Sequence, residues 1–192
     1  MSTKIEQWHE ELRDSLVKTQ YKINDNSICQ REAYNQFSSL LKQTKERQGS
    51  IYWVANGGSN AIAAHLSQDI INKLKIASHS FTNSSLITCM SNDYGYENVY
   101  KIPLETYLKS EDLLIAISSS GNSKNILSAI ETAQKKNCSV IGVSGMKDSN
   151  LIWNQKDLNL NIYLPSKRYG ITEVGHEALL HGMIEVFSES NN

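Results

Sequence analysis

Two loops of this 192-residue chain carry the residue types that hold anions. The first is Asn56-Gly57-Gly58-Ser59. Its paired glycines allow a tight turn that exposes consecutive N–H groups at the start of a helical stretch, where turn geometry and helix dipole both favour negative charge. The second is Ser118-Ser119-Ser120-Gly121-Asn122-Ser123, whose hydroxyls and N–H groups make an uncharged cradle suited to a phosphate monoester. Neither loop contains G-x-x-x-x-G-K-[ST] or G-x-G-x-x-G, so nucleoside triphosphate and NAD chemistry lack their signatures. Helix capping accounts for either loop taken singly. Two such loops after adjacent strand ends of one sheet point to a shared ligand.

Acid–base groups follow each loop. His65, Asp69 and Lys73 are spaced four apart on the helix after the glycine loop, which stacks them on one face. A lone helical histidine is commonly structural, but three ionisable groups in a row at the edge of a sheet are harder to dismiss. The last helical stretch carries Glu173, His176, Glu177 and His181. His176-Glu177 followed by His181 resembles the H-E-x-x-H of zinc proteases, yet histidines five apart lie about 140° round a helix and cannot share a metal in that way. His9 and His79 match no motif and are expected at the surface.

The elements that must position these groups alternate between strand and helix. Apolar runs at Ile51 to Ala55, Leu113 to Ile117 and Val140 to Val143 read as buried strands, and the alternating Leu158 to Leu164 as another. Helical periodicity covers Ala61 to Leu74, Ile126 to Lys136 and Glu173 to Phe187, with a further helix around Glu97 to Leu108 interrupted at Pro103. Ahead of the first strand, three- and four-residue apolar spacing predicts two amphipathic helices, broken at Asn24-Asp25-Asn26. The sum is one α/β domain over residues 1–192: a helical hairpin over 1–48, then a doubly wound parallel sheet over 50–192 that ends in a C-terminal helix. Ligands of such sheets bind at the carboxyl ends of the strands.

Composition narrows the function. Lys and Arg total 19 against 20 Asp and Glu, a net charge of −1, so nothing favours nucleic acid as a partner. No secretory leader and no membrane span is expected, and Cys29, Cys89 and Cys138, an odd set without a CxxC pair, fit a reducing cytoplasmic compartment.

Asn56-Gly57-Gly58-Ser59, Ser91-Asn92-Asp93-Tyr94-Gly95-Tyr96 and Ser118 to Ser123, in this order and spacing, resemble the sugar isomerase (SIS) domain family and within it the phosphoheptose isomerases. The resemblance spans nearly the whole chain and implies a flavodoxin-like sheet. It also implies aldose–ketose isomerisation of sedoheptulose 7-phosphate through an enediol, in a homotetramer with sites between subunits. It assigns Asp69 as base and His181 as acid, and places His65, Asp69, Glu173 and His181 round a divalent metal. A site of nitrogen and oxygen ligands suits zinc first, with manganese, iron or nickel as alternatives. Ser59, Ser118, Ser119, Ser120 and Ser123, with Gly57 and Gly58, would hold the phosphate. Asn56 and Asp93 would meet sugar hydroxyls, Lys73 would approach the phosphate, and Glu173 would also touch substrate. Three positions depart from the family pattern: Asp69 stands for Glu, Lys73 for Arg and Glu173 for Gln. Asp shortens the base by about 1.5 Å, and Lys keeps the charge of Arg without its bidentate fork. The added carboxylate at Glu173 calls for a nearby cation or a shared proton. Other readings under the same resemblance are an isomerase of another phosphorylated ketose, or a non-catalytic binding module. Trp8, Leu12, Leu16 and Phe37 are expected to supply apolar surface for assembly.

Overall fold

The computed structural model describes residues 3–190. Its centre is a seven-stranded sheet in the order β2-β1-β7-β6-β5-β3-β4. In chain order the elements are α1 (Lys4–Val17), β1 (Gln20–Ile23), β2 (Asn26–Ile28), α2 (Gln30–Glu46), β3 (Ser50–Val54) and α3 (Gly57–Asp69). A π-helical turn at Ile70–Leu74 then leads to β4 (Ala77–Ser80), α4 (Ser84–Tyr94) and a 3-10 turn at Tyr96–Asn98. The chain continues through α5 (Lys101–Tyr107), β5 (Leu113–Ser118), α6 (Lys124–Lys135), β6 (Ser139–Met146), β7 (Leu160–Pro165) and α7 (Tyr169–Glu189).

Strands β4, β3, β5, β6 and β7 are mutually parallel, as the unbroken apolar runs of β3, β5 and β6 predict for a sheet covered on both faces. Alternate residues serve the two faces. Ile51, Trp53, Leu113, Ile115 and Ile117 pack with α2, α3 and α7, while Tyr52, Val54, Leu114 and Ala116 pack with α5 and α6. After β3 the chain moves outward to β4, then returns past β3 to β5 and on toward β7. Strand order therefore reverses between β3 and β5, and the loops leaving their carboxyl ends part to opposite faces and open a crevice there.

The N-terminal region departs from expectation. Residues 20–28 form a β-hairpin rather than a break between two helices, and β1 pairs antiparallel with β7. The sheet is thus mixed, with an antiparallel edge on a parallel centre. Asn24 and Asp25 hold φ of 44° and 70°, which a two-residue hairpin turn requires and which their short polar side chains tolerate. In place of a helical hairpin, α1 packs on α7, and α2 packs on β1 and α7. Phe37 is fully buried in the core instead of offering assembly surface, and Trp8, Leu12 and Leu16 are half-buried. Pro103 sits in the first turn of α5, where its missing N–H costs nothing, so the interruption falls before that helix rather than in its middle. Among the described residues, no helix is long and apolar enough to cross a membrane.

Candidate functional site

At the crevice, the β3 and β5 loops meet the start of α7 round a cavity of about 120 Å³ lined by Asn56, Ser59, Ile117, Ser118, Ser119, Ser120, Ser123, Tyr169 and Glu173. The volume is well below the roughly 300–1,000 Å³ of a whole-ligand pocket, so the cavity takes the end of a ligand. Its polar lining is hydroxyl, amide and one carboxylate, without a basic side chain.

The local sequence builds this cradle directly. Gly57 begins α3 at φ 54° and Gly121 turns the second loop at φ 65°, both in the left-handed region that glycine adopts without strain. The serines are held before any ligand arrives: Ser59 Oγ lies 3.3 Å from Ser119 Oγ, and Ser118 Oγ lies 3.1 Å from Ser123 Oγ while accepting from the Gly121 N–H at 3.2 Å. Asn56 is clamped. Its Oδ1 accepts from Asn125 Nδ2 and from the Tyr96 hydroxyl, each at 2.8 Å, and its Nδ2 donates to Asn125 Oδ1 at 3.0 Å. Glu173 closes the far side. A Cβ on Gly58 would meet its Oε2 at 2.7 Å, so the missing side chain makes room for that carboxylate against the first turn of α3.

A second group lies further along α3 and α7. Asp69, 6% exposed, points its Oδ2 at Lys73 Nζ (3.3 Å), His181 Nδ1 (3.5 Å) and His65 Nε2 (4.0 Å). The two imidazole rings stack at 5.4 Å between centroids with planes 11° apart. Asp69 Oδ2 is charge-paired yet accepts no hydrogen bond, although it is buried. Such an atom is costly to leave unmet. One ligand atom from each of His65, Asp69 and His181 lies within 4.8 Å of the others. Two imidazoles and a carboxylate form a recurrent three-ligand set of catalytic zinc sites, which leave a fourth position open, so the donors present fit a divalent cation.

The structure therefore sorts the expected residues into two groups. Asn56, Ser59, Ser118, Ser119, Ser120, Ser123 and Glu173 line the cradle, whose wall includes the Gly57-Gly58 turn. His65, Asp69, Lys73 and His181 form the ionisable cluster. Glu173, expected as a fourth ligand, stands with the serines instead of within that cluster. Asp93 belongs to neither: it lies exposed on α4, accepting from Asn92 Nδ2 at 2.8 Å and from Cys89 Sγ at 3.5 Å. His176 is structural. It is fully buried, its Nε2 lies 3.0 Å from the Ser144 carbonyl, and burial pushes its pKa down to about 4. Tyr96, Asn125 and Tyr169 were not singled out from the sequence. Tyr96 lies inside the quoted motif and Asn125 two residues after Ser123, but their shared contact with Asn56 is tertiary; Tyr169 precedes the helix start expected at Glu173.

Comparison with known proteins identifies the family. The SIS domain model matches residues 18–145. A phosphoheptose isomerase of Pelobacter propionicus is 33% identical over 150 residues, covering 75% of this chain and 78% of the relative. One of Cytophaga hutchinsonii is 33% identical over 170 residues, covering 86% and 85%. The solved structure of phosphoheptose isomerase from Neisseria gonorrhoeae superposes with a TM-score of 0.82 at 25% identity, covering 95% of each chain. The chain belongs to the SIS-domain family, within it to the phosphoheptose isomerases, and is an enzyme of the aldose–ketose isomerase class.

Proposed function

We propose that the enzyme converts sedoheptulose 7-phosphate to D-glycero-D-manno-heptose 7-phosphate, with phosphate in the serine cradle and the reacting carbons at Asp69 and His181. The observation that carries this reading is the spacing of a neutral anion cradle and an ionisable cluster along the same two helices. From Ser59 to Asp69 on α3 the rise is about 15 Å. The roughly eight bonds from C1 to phosphorus of an extended seven-carbon sugar phosphate span about 10 Å, at about 1.2 Å per bond, and side chains that lean back toward the helix N-terminus cover the remainder. A shorter ketose phosphate with its phosphate in the cradle would fall short of the acid–base groups.

In the reaction, Asp69 removes a proton from C1 of the open-chain ketose and returns it to C2, while His181 moves a proton between the C1 and C2 oxygens by way of the enediol. Asp69 is buried and within reach of His181, so the two groups can act on adjacent atoms of one substrate. His65, Asp69 and His181 would hold a divalent cation, zinc by donor type, which supplies polarisation of the carbonyl and hydroxyl oxygens when bound. Glu173 accepts from a sugar hydroxyl near the phosphate end, and Asn56, with its carbonyl oxygen already engaged twice, contributes a remaining N–H. The family resemblance further supports a homotetramer, to which the exposed apolar side chains Ile5, Val17 and Val186 would contribute contact surface.

The test is proton NMR of the purified protein with sedoheptulose 7-phosphate in D₂O, with and without a chelator. The expected result is an aldose phosphate carrying deuterium at C2, slowed by the chelator. Absence of both turnover and exchange after metal is restored would reject this substrate.

A further inference from the structure

Asp69 Oδ2 has three nitrogen neighbours, and one of them belongs to a lysine. Lys73 Nζ, at 3.3 Å, is the nearest of the three, ahead of His181 Nδ1 at 3.5 Å and His65 Nε2 at 4.0 Å. The spacing of four sets up the approach, and Lys73 lies in the π turn at Ile70–Leu74 that continues α3. Lys73 is the fourth residue of that turn, and its side chain is only 28% exposed. The Lys73 ammonium lies against the one carboxylate of the ligand set. A divalent cation entering the same oxygen would meet a like charge beside it.

We propose that Lys73 competes with a divalent cation for Asp69, so that the site holds its metal weakly and exchanges the two cations on one carboxylate. The proposal rests on the reading of His65, Asp69 and His181 as the metal ligands. Lysine suits this role because its charge rides on a flexible stem that can swing toward solvent. Ammonium and metal then become alternative partners of the same oxygen, and binding of one releases the other.

The competition is measurable without turnover. Cobalt(II), whose visible absorption reports nitrogen–oxygen coordination, is titrated into the full chain and displaced by zinc, for the wild type, Lys73→Met, Lys73→Arg and His181→Asn. Lys73→Met is expected to bind about 10- to 100-fold tighter than the wild type, the size of effect that neighbours of ligands commonly exert. Lys73→Arg should stay within about threefold of the wild type, since it keeps the charge, and His181→Asn should bind more weakly. In parallel, acylation of Lys73 in the wild type, read by mass spectrometry, should rise when zinc is added. If Lys73→Met binds like the wild type while His181→Asn is weakened, the competition is overturned and the metal ligands stand. If no protein binds, or all four bind alike, the metal reading falls and the proposal with it. Unchanged acylation of Lys73 on zinc addition overturns the competition irrespective of how the variants fold.

Discussion

The serine cradle, completed by the loop after β5, and the Asp69 cluster share α3 and α7 but are built on opposite principles. In the cradle the polar groups already have partners: serine pairs with serine, Asn56 is held by Asn125 and Tyr96, and the loops turn on glycines that accept the required φ. In the cluster, a buried carboxylate oxygen faces two histidines and a lysine without one hydrogen bond. The cradle, without a basic side chain, is preorganised to bind an anion, and its dipoles cost no rearrangement when one enters. The cluster is poised to exchange protons or cations. Affinity should therefore depend on the first region and rate on the second, and substitutions in each should separate KM from kcat.

The largest expected effect is on rate. His181→Asn removes the proposed acid while leaving the cradle untouched, so kcat should fall by about 10²- to 10⁴-fold with little change in KM, measured by steady-state kinetics. A comparable loss in KM instead would merge the two regions. Next comes stability, through His176, which is buried on α7 against the Ser144 carbonyl of β6. Burial holds it neutral with a pKa near 4 in the folded chain, against about 6.5 when unfolded. The unfolded chain thus takes up the extra proton between those values. The contribution is whole above pH 6.5 and is lost as pH falls toward 4, to a total of about 3 kcal/mol. Urea titrations at pH 7.5 and 4.5 measure the loss, and His176→Gln, which keeps a donor for the Ser144 carbonyl, should flatten it. The smallest effect belongs to the cradle. Ser119→Ala deletes one hydroxyl paired with Ser59, and KM for a sugar phosphate should rise by about 2- to 12-fold with kcat retained, the equivalent of one net hydrogen bond.

The two regions also differ in how far they could be read from the sequence. The cradle was legible because turn chemistry is local: paired glycines and clustered serines after apolar runs carry their own meaning. The spacing of His65, Asp69 and Lys73 was legible for the same reason, but the π turn that carries Lys73 leaves no mark in the residue pattern. Glu173 was assigned to the metal by resemblance, whereas its place against Gly58 depends on how α7 crosses α3, a tertiary matter. In the fold, the central strands were clear from their apolar runs. β4, Ala-Ser-His-Ser, has no such run, and α4 offers only the short stripe Leu86, Ile87 and Met90, half-buried against the core. The β1–β2 hairpin was missed because strands of four and three residues are too short to show alternation, and Asn24-Asp25 reads equally well as a helix break or a tight turn.

The most direct measurement takes one sample of Asp69→Asn with sedoheptulose 7-phosphate in D₂O and records binding and exchange together, by saturation-transfer NMR and by deuterium at C2. The sugar phosphate should still bind, within about threefold of the wild type for a change that leaves the cradle intact, while deuterium incorporation falls by about 10²-fold or more. Exchange at the wild-type rate in Asp69→Asn would contradict the assignment of the chemistry to this cluster.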